Sequence, residues 1–166
     1  MARTKKSSLA TTLKQNRPFV SLEQEVYLSI LRTASELSYA VEQFFRLFDI
    51  TPSQFNVLRI LRGAGEDGLC RNEISERMVT ATPDMTRLLD RMEKAGWVTR
   101  ERAEEDRRQV STHITKSGME LLARLEEPTG DFVAPLFTGA GISDLRIVLK
   151  VNDRIRANLR AAKGSI

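Results

Sequence analysis

Small and polar side chains crowd one short stretch of this chain: Thr80, Thr82, Pro83, Asp84, Thr86 and Arg87, with Arg91 one helical turn further on. Hydroxyls and a guanidinium at the start of a helix can exchange hydrogen bonds with base edges and with phosphate oxygens. A second charged cluster follows at Ala103 to Arg108, where Asp106 precedes Arg107 and Arg108. By composition alone that run reads as a solvated surface. At the tip of a hairpin its two arginines would instead reach a phosphate backbone or a narrow minor groove, with Asp106 shaping the tip. Chemistry of other kinds is poorly supplied. No nucleophile–base pair, phosphate-binding glycine loop or carboxylate constellation stands out, so no catalytic residue and no cofactor is expected. Cys70 is the single cysteine and His113 the single histidine. That excludes an internal disulfide and leaves no ligand set for a metal.

The elements that hold these residues follow from periodicity. Thr82 is expected to cap a helix, with Pro83 in its first turn and Asp84 at its positive end. Met85, Leu88, Leu89 and Met92 recur at helical spacing as one buried stripe, and Gly96 suits a left-handed stop. The period then becomes two: Trp97–Arg102 and Gln109–Ile114 read as paired strands around the charged tip. Upstream, Pro52 opens a helix to about Arg62 with Phe55, Leu58 and Leu61 inward. Asn72 is expected to cap another, with Ile74 and Met78 inward, ending near Val79. Helix, helix, helix, hairpin is a winged helix-turn-helix, so the fold expected is mainly α with a small β-hairpin wing.

Three patterns resemble the MarR family of bacterial regulators: Ile50–Leu58 (ITPSQFNVL), Thr86–Glu93 (TRLLDRME) through Gly96, and Glu105–Arg108 followed by Ile114–Gly118 (ITKSG). The similarity covers roughly residues 21 to 161. It implies a two-fold dimer joined through its first and last helices, and a protein that binds double-stranded DNA at a near-palindromic operator. In resembling proteins an acid of the recognition helix can pair with the second wing arginine, which makes Asp90–Arg108 a latch between helix and wing.

The rest of the chain divides accordingly. Residues 1–20 read as a flexible basic tail, 21–49 as a long first helix for dimerisation, 50–118 as the DNA-binding core, 119–161 as C-terminal dimerisation helices, and 162–166 as a tail. The first helix aligns Ile30, Ala34, Leu37, Val41, Phe44, Phe45 and Phe48. The last, capped by Ser143 or Asp144, aligns Leu145, Val148, Leu149, Asn152, Ile155 and Leu159. Both are too apolar to stand alone, and a second copy is the simplest cover. Between them, Lys116 to about Glu127 reads as helix, interrupted by Pro128 and Gly130 before a short helical piece from Asp131 to Phe137.

Net charge is +4, yet residues 71–114 carry nine basic and nine acidic side chains. Bulk charge therefore does not locate a DNA site, and individual arginines must. No apolar run approaches the roughly 18 residues of a membrane span and no secretory signal is visible, so a cytoplasmic protein is expected. A small aromatic or anionic effector is expected near Leu37, Tyr39, Val41, Phe55 or Leu122, with Arg46 or Arg59 able to meet an acidic group. Two other readings stay open. One is a winged helix that assembles with proteins and makes no base contacts. The other is a redox-sensing regulator acting through Cys70, whose thiol sits beside Arg71 at a helix start. His113 reads as structural.

Overall fold

The computed structural model describes residues 8–102 and 110–163. Along the chain lie α1 (Ser8–Thr12), α2 (Leu22–Arg46), α3 (Pro52–Ala64), β1 (Leu69–Cys70), α4 (Arg71–Arg77), α5 (Met85–Lys94), β2 (Val98–Arg102), β3 (Val110–Ile114), α6 (Lys116–Val133) and α7 (Ile142–Lys163). Short 3-10 turns occupy Gly65–Asp67 and Ala134–Phe137. The strands form one antiparallel sheet in the order β1-β3-β2, with Val98 opposite Ile114 and Leu69 opposite Thr112. This is a mainly helical winged helix-turn-helix. The chain divides into two compact units, one up to Leu122 and one from Ala123.

Capping chemistry places the first helices. Ser21 accepts from the Gln24 N–H, which starts α2. Thr51 accepts from the Gln54 N–H, and the Gln54 side chain accepts from the Thr51 N–H at 2.8 Å, a reciprocal box that fixes the start of α3. Pro52 then takes the first helical position, where no N–H is needed. Phe55, Val57, Leu58 and Leu61 of α3 are buried, as are Ile74 of α4, Met85, Leu88, Leu89 and Met92 of α5, and Val98 of β2. They form the core of the first unit together with Phe45, Ile50, Leu69 and Leu122. Phe45 stacks on Phe55 at a centroid distance of 4.7 Å, which joins the end of α2 to α3.

Several expectations are corrected. The recognition helix begins at Met85, not at Pro83. Asp84 is its cap and accepts from the Arg87 N–H at 2.9 Å, while Thr82 and Pro83 belong to the preceding turn. A carboxylate caps a helix as well as a hydroxyl does, and carries the charge the positive end favours. Similarly, α4 starts before Asn72: Cys70 stands at the cap, and Glu73 accepts its N–H at 2.8 Å. The helix ends at Arg77, and Met78 is half-buried.

Pro128 and Gly130 do not stop α6, which runs unbroken to Val133. A proline inside a helix removes one backbone bond, and the turns on either side continue around it. The Thr129 hydroxyl donates to the Leu125 carbonyl in that region at 2.5 Å. The last helix begins at Ile142, one residue before the expected caps, and Asp144 accepts from the Gly141 N–H at 3.0 Å. The basic tail is not structureless throughout. Ser8–Thr12 is helical, and Leu9 and Ala10 are buried.

Candidate nucleic-acid interface

The α5 helix presents two unlike faces. Its apolar stripe is buried, whereas Thr86, Arg87, Arg91 and Lys94 are exposed. Arg91 and Lys94 lie in the last turn, where positive charge is favoured by the helix dipole. Gly96 follows with φ of 75°, a left-handed conformation that a side chain would strain, and the backbone turns there into β2. Before α5, Thr80 and Pro83 are exposed, Thr82 is half-buried, and the Thr82 hydroxyl lies 3.5 Å from the Thr80 carbonyl. The expected reading residues therefore share one turn and one helix, around a helix start whose cap is Asp84.

Two arginines brace this element, and neither was expected to. Arg71 of α4 donates to the Thr86 hydroxyl at 3.4 Å and to the Asn72 side-chain carbonyl at 3.3 Å. Arg100 of β2 reaches back to α5. Its Nη2 pairs with Asp90 at 2.7 Å and with Glu93, and its Nε donates to Glu93 at 3.0 Å. The hydrogen bond from Arg100 holds the Glu93 carboxyl below its ordinary range, and Glu93 in turn raises the guanidinium of Arg100. So β2 is tied to α5 by a forked ion pair. The wing tip, residues 103–109, lies outside the described residues, and Asp106, Arg107 and Arg108 lie with it. The Asp90–Arg108 latch lies outside them too. Among the described residues the Asp90 carboxylate is engaged by Arg100.

Sequence reasoning missed Arg100 because its partners sit in another element. Arginine at alternate positions of β2 looks like an ordinary solvent-facing strand residue. The available signal was Glu93, which has no basic residue three or four positions away on its own helix and so needs a partner from another element.

The pair should show in stability. Replacing Arg100 by Gln is expected to cost about 1 kcal/mol at neutral pH, the value of a partly exposed ion pair. Because the folded-state pKa of Glu93 is lowered, its contribution is present above the unfolded glutamate value and is lost as pH falls through the folded one. Denaturant titrations should therefore show the gap between wild type and Arg100→Gln narrowing as pH falls below the ordinary glutamate range. A difference of equal size in acid and at neutrality would mean that the carboxylates are not what Arg100 serves.

A cavity of about 420 Å³ opens beside this brace, lined by Cys70, Arg71, Asn72, Thr86, Leu89, Arg100, Val110 and Thr112. None of the five residues expected to surround an effector lines it. Phe55 and Leu122 are buried, Val41 is half-buried, Leu37 is partly exposed, and Tyr39 is 67% exposed. Arg46 pairs with Glu42 at 3.1 Å, and Arg59 is exposed. The free thiol of Cys70 is half-exposed. His113 covers Gly68 so closely that a Cβ there would meet its ring at 2.5 Å, which accords with a packing role. Among the described residues no group of three or more His, Cys, Asp or Glu side chains could hold a metal ion. No single helix among them is long and apolar enough to cross a membrane.

Comparison with known proteins agrees with this geometry. The sequence profile of the MarR family matches residues 50–110. The HTH-type transcriptional regulator PapX of Escherichia coli is 25% identical over 128 residues, which span 77% of this chain and 78% of that protein. Among solved structures, a MarR transcription factor from Planctomyces limnophilus aligns with a TM-score of 0.64 at 33% identity, over 82% of this chain and 98% of that one. The MepR–DNA complex of S. aureus aligns with a TM-score of 0.63 at 24% identity, over 84% and 98% respectively, a likeness of fold.

Proposed function

This chain belongs to the MarR family of DNA-binding transcription regulators, a family without enzymatic activity, and from that premise we propose that it is a cytoplasmic, dimeric, sequence-specific repressor. Its operator is a near-palindrome in double-stranded DNA, and a small aromatic or anionic ligand releases it. The observation that carries the reading is the exposed face of α5. Thr86, Arg87, Arg91 and Lys94 stand in solvent on a helix whose other face is fully packed. A protein-docking face would carry aromatic or aliphatic anchors on that helix, and its exposed side chains are polar or charged. The wing arginines Arg107 and Arg108 add minor-groove or phosphate contacts on either side.

Two-fold symmetry is supported by what the single chain leaves bare. Val26, Tyr27 and Leu31 on α2, and Ile147, Val148, Leu149 and Leu159 on α7, are exposed apolar side chains. A second copy covers them and sets two α5 helices into successive major grooves, with half-site centres about 10–10.5 base pairs apart. The effector acts by binding the arrangement that does not fit DNA, and it releases the operator only by its preference for that arrangement. Two places suit it: the surroundings of Leu37, Tyr39, Val41, Phe55 and Leu122, and the cavity beside Arg71, whose guanidinium is held by neutral oxygens and favours an anion.

Arg87 is the residue assigned to base reading, since an exposed arginine can pair with both acceptors of a guanine edge. Arg87→Ala is expected to weaken the preferred site by roughly 1–3 kcal/mol and to flatten discrimination at one position of each half-site. Binding measured across a panel of single-base operator variants checks this. A uniform loss over all sequences would make Arg87 a phosphate contact, and the assignment to base reading would fall.

A further inference from the structure

The turn between α4 and α5 carries most of the residues assigned to DNA reading, and its backbone is lightly held. Met78 N–H donates back to Ser75 O at 3.4 Å, and regular bonding resumes with Leu88 N–H to Asp84 O at 3.1 Å. Between them, the Val79 N–H is taken by a side chain from a different element. The Asn56 carbonyl oxygen, on α3, accepts it at 2.8 Å across 23 residues of sequence. Asn56 is half-buried, with the buried Phe55 and Val57 on either side, so α3 holds its backbone in place. The side chain of Val79 is exposed. The bond is thus a tie between the packed core and the start of the reading turn.

We propose that Asn56 is a positioning residue for DNA recognition: its side-chain carbonyl fixes the backbone at Val79 and so sets where Thr80, Thr82 and the start of α5 meet the bases. The proposal rests on the DNA-reading role assigned above. It separates two properties that a merely structural residue would move together. Contacts to phosphate tolerate small displacements, whereas bonds to base edges need the helix start in one place. Without the acceptor, the turn samples other conformations, and apparent affinity for the correct sequence falls by the fraction of molecules still in the reading geometry. Non-specific affinity is left nearly unchanged.

Three variants of the full chain separate the possibilities. Asn56→Leu keeps the shape and removes the acceptor, Asn56→Ala removes it with less bulk should leucine perturb folding, and Asn56→Asp keeps an acceptor in place. Each is measured for affinity to the selected operator, for affinity to unrelated duplex, and for amide hydrogen exchange at Val79. Asn56→Leu and Asn56→Ala are expected to lower operator affinity about tenfold, the equivalent of one hydrogen bond, with non-specific affinity within about twofold of wild type. Both should speed exchange at Val79, and Asn56→Asp should restore both properties. Equal losses on operator and unrelated DNA, or an unchanged ratio, would overturn the proposal. Should the chain select no operator at all, the DNA-reading role is what has failed; the Val79 exchange rates then decide whether the tie exists, and unchanged exchange overturns it.

Discussion

A chain carrying Val148→Asp and Leu159→Asp together should sediment as a monomer and lose operator affinity by about a hundredfold or more. The two positions lie eleven residues apart, about three turns of α7, and therefore on one face. They are 54% and 59% exposed in the single chain, so charge at either place costs its folding little. In the dimer proposed above the same positions would be covered, and two carboxylates per copy brought into an apolar contact would be desolvated without partners. The large effect on DNA follows from geometry, since a dimer binds its second half-site at the high effective concentration set by the first, and a monomer has only one half-site to hold. Sedimentation at micromolar concentration, paired with binding to full and half operators, measures both. A variant that stays dimeric would remove α7 from the interface, and a wild type that is itself monomeric would remove the two-fold geometry altogether.

Gly118→Ala should destabilise the fold by roughly 2–3 kcal/mol, although alanine is the better helix former. Gly118 lies in the first turn of α6, where the helix docks on the backbone that follows α5. The Thr115 N–H donates to Trp97 O at 3.0 Å, the Thr115 hydroxyl donates to Gly96 O at 2.7 Å, and the Gly118 N–H donates to that same hydroxyl oxygen at 3.1 Å. A Cβ on Gly118 would overlap the Trp97 carbonyl oxygen and come within 2.9 Å of Ile114 Cγ1. A backbone carbonyl already bonded in place cannot swing aside as a flexible side chain could, so the helix start must back away and weaken the bonds at Thr115. Urea denaturation should show a lower midpoint with an unchanged slope. A midpoint equal to or above wild type would mean that α6 is not docked on Trp97 as described.

Gly118 also illustrates what a sequence makes visible. The residue is conspicuous there only as part of a short pattern; its reason, the carbonyl of Trp97, is a contact between segments twenty-one residues apart. Elements with a sustained period were legible. The stripe Met85, Leu88, Leu89 and Met92 is buried as its spacing demands, Gly96 takes the left-handed conformation, and Val98–Arg102 pairs with Val110–Ile114. Features decided by one local bond against another were less so. Thr82, Asp84, Asn72 and Cys70 all stood near a helix start, and hydrogen bonds at Asp84 and Glu73 decided which residue caps. The two-residue strand Leu69–Cys70 has no period to detect and exists because β3 offers a free edge. Pro128 looked like a stop because local preference was weighed without the turns that continue around it. The residues expected to read DNA do lie along one turn and one helix, yet the supports from Arg100, Arg71 and Asn56 are tertiary and become visible only with the fold.

The central claim is that α5 and the turn before it read base sequence as a symmetric pair. Repeated selection of bound duplexes from random DNA by the full-length protein tests it most directly. The enriched sites should form a near-palindrome whose half-site centres lie about 10–10.5 base pairs apart, and the enrichment should fade for Arg87→Ala. Recovery of DNA without any enriched sequence, bound with an affinity that depends on salt alone, would contradict it.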